Sequence, residues 1–494
     1  MEERLKGFIN MGSLEKILEQ NTVNIRSLMR NTSDLNIKYG KAGGIDVCAL
    51  FCEGQIDTNQ LANLIYRPLN SIGNKEALTP ERVAEIISGE LFSAGEQKQL
   101  NTYDDVILKL FSGFCILLID GITYAIAIGI QGYKTRSVSP PLNHRNIRGS
   151  REGFVEAVRT NMSMVRRRIK SPDLVMNLTT MGRLSNTDIC ICYIEGRADK
   201  RLVEEVKGRI ERLPLSVILE SGYLQPFLED KNSLFSETGV TERPDVLASK
   251  LYDGKIGVIV DGTPFALIVP KLFSENFVAV DDYSEKPVYA LMMRLLRYLA
   301  FFIGVYLPGF YVALANFHPE LIPDSLLLNL ASSVAVTPYN LLAECIIISI
   351  FYEIMREAGL RMPTDVGHAV SIVGGIVIGD IVVSAGLVGA PILLVIAVSS
   401  IAGYIVTDLY NTIILTRFAF ILAGGLFGLF GITVATVILL LKLCSMNSYG
   451  VPVTAPISPF SLKGMRDTFI RLGWERLAKS DMKIQDMNGV EINE

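Results

Sequence analysis

Histidine is nearly missing from this chain. Of 494 residues only His144, His318 and His368 carry an imidazole, and they lie far apart. A zinc site has too few ligands to draw on. The seven cysteines do not make up the shortfall. Cys48 and Cys52, and Cys190 and Cys192, fall in apolar, strand-like runs, and Cys345 and Cys444 fall in hydrophobic spans. That pattern reads as small buried apolar residues in a reducing compartment. Also missing are a glycine-rich phosphate loop, a nucleophile elbow and a metal-ligand motif. No catalytic constellation is present, so neither an enzyme nor a cofactor is expected. The opening stretch MEERLKGFINMGSLEKILEQ has mixed charge and no apolar core of the kind a secretory signal needs, which predicts a cytoplasmic N-terminal half. With a net charge of −4 and a pI near 5.7, nothing suggests nucleic acid as a partner.

Charge is scarce in one half only. The chain is 49% hydrophobic with a mean hydropathy of +0.34, and most of its charge precedes Arg297. This asymmetry predicts a soluble half followed by a membrane half.

The soluble half repeats itself. NIRSLMRNTSDL (24–35) resembles MVRRRIKSPDL (164–174), and DVCALFCEGQID (46–57) matches DICICYIEGRAD (188–199). The apolar runs around Asp120-Gly121 return around Asp261-Gly262. Three collinear matches at a nearly constant offset indicate a tandem duplication. Each unit reads as a helix, a β-rich run, a Glu-Gly turn, an amphipathic helix, and two strands joined at Asp-Gly. In the second unit Leu202, Val206, Ile210 and Leu213 recur at helical spacing. The predicted fold is an α/β soluble half of two duplicated subdomains, 20–138 and 145–285, after an extension 1–19. A helical multi-span membrane domain follows over 290–445, then a basic cytoplasmic tail over 446–494. A proline-bearing linker around Pro140-Pro141 separates the two units. Arg166, Arg167 and Arg168 suit contact with phosphate, an acidic partner or lipid headgroups; a solvated helix face is the plainer alternative.

In the membrane half, residues 295–315, 337–355, 366–386, 388–408 and 414–444 are candidate spans, the last a single span or a bent pair. About four to six spans are expected, with 324–336 too short to cross. Arg294 and Arg297 place the start of the first span inside, as do Arg417 and the basic tail for their own segments. Five full spans would put the tail outside, and a bent or re-entrant last segment removes that conflict. Glu344 and Asp380 fall at similar depths, about 10 Å below the outer surface at 1.5 Å per residue. Intramembrane carboxylates are costly, so the pair suggests a cation path or a shared proton, with Asn340 and Ser349 beside it. The alternative is pairing or snorkelling of Glu344 and plain helix packing by the small residues. Glu353 reads as interfacial.

IRGSREGFVEAVRTNMSMVRRRIKSPDL (147–174), LESGYLQPFLED (219–230), TERPDVLASKLYDGKIGVIVDGTPFALIVP (241–270), RLLRYLAFFIGVYLPGFYVALANFHPELIP (294–323), REAGLRMP (356–363) and SYGVPVTAPISP (448–459) together resemble the A subunits of GerA-type spore germinant receptors. The resemblance is strong over about 145–475. It implies residence in a spore inner membrane, B and C partner subunits, nutrient germinants, and oligomers that release monovalent cations. The same family includes paralogues from the spoVA operon that amplify germination. A non-conducting scaffold for the partner subunits is the competing reading. This sequence has Ser150 where the family usually has proline. Ser349 stands where the family commonly has glutamate, and Asp380 where it has an uncharged amide. The last two imply that one membrane carboxylate has been exchanged for another.

Overall fold

The computed structural model describes residues 12–72, 78–91, 96–132, 150–231, 233–362, 375, 377–461, 464–469, 471, 473, 475 and 483–487. The Val- and Ile-rich runs of the first half pair into two sheets of five strands each. The first holds β1 (Leu35–Ala42), β2 (Ile45–Cys52), β3 (Gln97–Leu100), β4 (Phe114–Ile119) and β5 (Ala125–Gly129). The second holds β6 (Leu174–Met181), β7 (Thr187–Ile194), β8 (Gly239–Thr241), β9 (Ile256–Val260) and β10 (Ala266–Val269). Their orders are β1-β2-β4-β5-β3 and β6-β7-β9-β10-β8, and every pairing is antiparallel. The two sheets therefore share one topology, as a duplicated unit requires. β4 and β9 are buried along their whole length because helices cover both faces of each sheet, which is why they read as continuous apolar runs.

The Asp-Gly pairs do more than turn the chain. Asp120 Oδ1 accepts from the backbone N–H of Leu18 at 3.0 Å, and Asp261 Oδ1 accepts from that of Val158 at 2.9 Å. These nitrogens open the helices Leu18–Leu28 and Val158–Arg168, whose own N-cap residues, Ile17 and Ala157, cannot cap. Each hairpin thus caps from a distance the helix that begins its unit. Asn21 and Asn161 repeat the symmetry: each side chain closes a loop onto both backbone groups of Glu15 or Val155. The first helix starts at Leu18, inside the expected extension, and Leu14 is already buried. The proline-bearing linker lies outside the described residues.

Beyond the second sheet the chain becomes helical. Pro287–Phe317 and the segment 407–445 are long and apolar enough to cross a membrane; no other described helix is. Of the four to six spans expected from the sequence, these two stand out among the described residues. Leu341–Arg361 carries Glu344, Glu353, Arg356, Glu357 and Arg361, and Ala390–Ile405 has only 16 residues. The third candidate lies largely outside the described residues.

Tyr410–Ser445 is not one rod. Thr412 Oγ1 donates to the carbonyl of Leu234 at 3.1 Å, while Met446 Sδ lies 3.9 Å from Ser233 Oγ. In a straight helix residues 412 and 446 would stand about 50 Å apart. The segment instead doubles back at Gly428, whose φ of 61° and ψ of −147° leave the helical region. That left-handed φ is open to glycine at little cost. A Cβ on Gly431 would sit 2.1 Å from the carbonyl oxygen of Ala423, eight residues earlier, which confirms the reversal. The bent-pair alternative is the one observed. Its first arm crosses Pro287–Phe317 with the backbones of Gly309 and Gly424 in direct contact: a Cβ on either would meet backbone at 2.4 Å.

The chain after Ser445 returns to the second sheet. Phe273 N–H donates to Val453 O, Tyr449 O–H donates to Leu228 O at 2.8 Å, and Ile484 N–H donates to Asp253 O at 2.8 Å. Arg471, in the expected basic cytoplasmic tail, is buried and donates to the carbonyls of Asp282, Tyr283 and Glu285. Arg294 is likewise buried, against Asp282 and the Asp467 carbonyl, and Arg297 binds both Asp282 oxygens. These arginines knit the foot of the first long helix to the tail.

Candidate functional site

Glu344 lies in the first turn of Leu341–Arg361, a helix begun by Asn340, whose side chain caps Ala343 N–H at 2.8 Å. The Glu344 side chain is fully buried, at 0% exposure. Its Oε2 accepts from Gly389 N–H at 3.3 Å, the residue that opens the helix Ala390–Ile405, and Oε1 has no hydrogen-bond partner among the described residues. The carboxylate thus faces the N-terminal end of that helix. Ser349 is buried too, but its hydroxyl donates to Cys345 O at 2.7 Å and is thereby engaged. Asn340 is exposed, and so is Asp380, in the π-helix Val377–Val382. No hydrogen bond or ion pair joins Asp380 to Glu344 among the described residues. The structure therefore brings Glu344 and Ser349 together on one helix and leaves Asp380 and Asn340 at the surface.

A second polar centre sits lower on the same helix, around Glu353. Arg356 pairs with it at 2.8 Å, and Tyr410 O–H donates to its Oε1 and Oε2 at 3.2 and 3.4 Å. Arg417 approaches to 3.9 Å. Arg417 is 1% exposed and donates to Gly304 O at 2.9 Å, Ser399 O at 3.1 Å and Ser400 Oγ at 3.0 Å. Tyr404 stacks on Tyr410 with ring centroids 5.0 Å apart, and the Arg356 guanidinium lies 4.8 Å from the Tyr410 ring centre. Four helices meet here through charged and aromatic groups. In the sequence Arg417 reads as a marker of sidedness and Glu353 as interfacial, and nothing there joins the two. The available signal was an arginine inside an otherwise apolar run, which hydrocarbon tolerates only with partners.

The basic run is not a solvated face. Arg166 is 1% exposed and forms a two-pronged ion pair with Asp34 of the first subdomain, Nε–Oδ2 2.7 Å and Nη2–Oδ1 2.9 Å. It also donates to Ser171 O and Leu174 O. Arg167 and Arg168 both pair with Glu152. Burial works against that carboxylate, yet the two guanidinium groups hold it below its ordinary range. Arg166 is thus withdrawn from phosphate, headgroup or partner contact by the joint between the two subdomains.

The GerA family model, described as Bacillus/Clostridium GerA spore germination protein, matches residues 23–482. The chain belongs to the GerA family. Spore germination protein KA of Bacillus subtilis (strain 168) is 36% identical over 92% of this chain and 85% of its own length. Spore germination protein GerLA of Bacillus cereus is 33% identical over 93% of each chain. A crystal structure of the N-terminal domain of the A subunit of the Bacillus megaterium spore germinant receptor GerK3 aligns with 53% of this chain and 98% of its own, at 30% identity and a TM-score of 0.43.

Proposed function

We propose that this GerA-family chain is the A-type membrane subunit of a receptor that answers nutrient germinants, working with B- and C-type subunits in the spore inner membrane. Its soluble half faces the cytoplasm, and several copies together form a gated path for monovalent cations. The observation that carries the reading is Glu344, a fully buried carboxylate with one oxygen unpartnered among the described residues, set at the start of a helix in the apolar half. A group so costly to bury is retained where an ion or proton passes or rests. Asp380, exposed on the lone chain, would line the path only where copies meet.

The test is flux of K⁺ and Na⁺ through liposomes that contain the chain and its partner subunits. Conduction that falls in Glu344→Gln and Asp380→Asn supports the path. No conduction from the intact assembly removes it in favour of a scaffold that docks the partner subunits. The scaffold reading draws on the separation of Asp380 from Glu344 and expects both substitutions to be silent.

A further inference from the structure

β10 ends at Val269, and two residues later Lys271 leaves the second sheet with its backbone N–H on Glu237 O at 2.8 Å. Its Nζ reaches Asp408 Oδ2 at 2.8 Å. Asp408 belongs to the short turn Thr407–Leu409 between the helix Ala390–Ile405 and the doubled segment. Leu409 is buried in the apolar cluster that also holds Phe235, Phe277 and Phe301, which seats the turn. The next residue is Tyr410, the side chain that holds Glu353, stacks on Tyr404 and lies under Arg356. From Lys271, two residues past the strand end, to Tyr410 in the polar centre there is one ion pair and two peptide bonds.

We propose that the Lys271–Asp408 pair is the positioning contact through which the second soluble subdomain sets the Glu353–Arg356–Tyr410–Arg417 centre. The pair fixes the height and rotation of Tyr410. Tyr410 in turn fixes Glu353, which shares its helix with Glu344. Neither Lys271 nor Asp408 touches an ion; they act through Tyr410. The Phe cluster around the turn supplies adhesion without direction, whereas the ion pair at 2.8 Å, with the Thr412 hydrogen bond to Leu234 O beside it, specifies one register between the subdomain and the turn. The inference rests on the chain being a membrane subunit driven by its soluble half, and not on conduction.

The full chain in lipid nanodiscs tests this by amide hydrogen exchange, with no germinant needed. Lys271→Asp is expected to raise exchange by about tenfold in 350–361 and 396–405, well beyond the substituted residue. Asp408→Lys should do the same, and Lys271→Asp with Asp408→Lys should return exchange to near the parent. Should the reversed charges prevent folding, Lys271→Gln and Asp408→Asn are read in the same way, each expected to give about a threefold rise over the same segments. A rise confined to 266–275 and 405–412, or a swap no better than its single parents, overturns the inference. Cation flux has no part in this readout, so failure of the conduction reading leaves it standing, and its own failure leaves conduction untouched.

Discussion

Asp34 and Arg166, 132 residues apart in sequence, form a buried two-pronged ion pair that joins the two copies of the duplicated unit. Thr32 supports it from both sides, donating to Asp34 and accepting from Arg166. Removal of one partner strands a buried charge, so Asp34→Ala should cost about 3–5 kcal/mol. Replacement of both by apolar residues, Asp34→Leu with Arg166→Met, should recover most of that loss. Urea unfolding of the full chain, followed by a probe in the soluble half, measures both.

The capping hairpins give a sharper pair of outcomes. Asp261→Asn keeps an oxygen on Val158 N–H and should change stability by less than about 0.5 kcal/mol. Asp261→Ala leaves that N–H without its acceptor and should cost about 1 kcal/mol. The same contrast is expected at Asp120, and thermal unfolding of the four variants checks it.

This hairpin also shows what a sequence reveals and what it hides. Its strands, its turn and its recurrence were legible because each is local: apolar runs, two turn residues and a fixed offset. The capping role was not, since Asp261 serves a nitrogen 103 residues earlier. Arg166 misled for the same reason. Its partner is distant, and the corresponding stretch of the first copy has no matching run of arginines to betray a contact between copies. In the apolar half the carboxylate of Glu344 could be found by its cost in hydrocarbon. The reversal at Gly428 could not be fixed, because glycine is common in membrane helices that run straight.

Acid should loosen the second subdomain. Glu275 is pushed up by burial, but Lys250 and Lys255 on either side outweigh that and hold it far below its ordinary 4.5. Asp282 is depressed from 3.8 against its own burial, chiefly by Arg297. Groups whose folded pKa is lowered stabilise the fold above their unfolded pKa and lose that contribution as pH falls toward the folded value. Melting temperature should therefore drop from about pH 5 downward, and Glu275→Gln should flatten that slope while lowering stability at neutral pH.

Helix packing in the apolar half should be unforgiving at one crossing. A side chain at Gly309 or Gly424 has backbone where its Cβ must go. Gly424→Val should cost about 1–3 kcal/mol or more by forcing the helices apart. The neighbouring exposed Leu426→Val should cost well under about 1 kcal/mol. Denaturant titration in detergent micelles distinguishes the two.

The doubled segment 410–445 has a last consequence, for compartments. Because its second arm ends at Met446 beside Ser233, and Val453 and Ile484 beyond it bond to Phe273 and Asp253, the described residues after Ser445 lie against the second sheet, and the two are expected on the same face of any bilayer the helices cross. An even number of crossings is the expected outcome. A protease or impermeant label added to sealed vesicles will reach tags at the two ends together or reach neither.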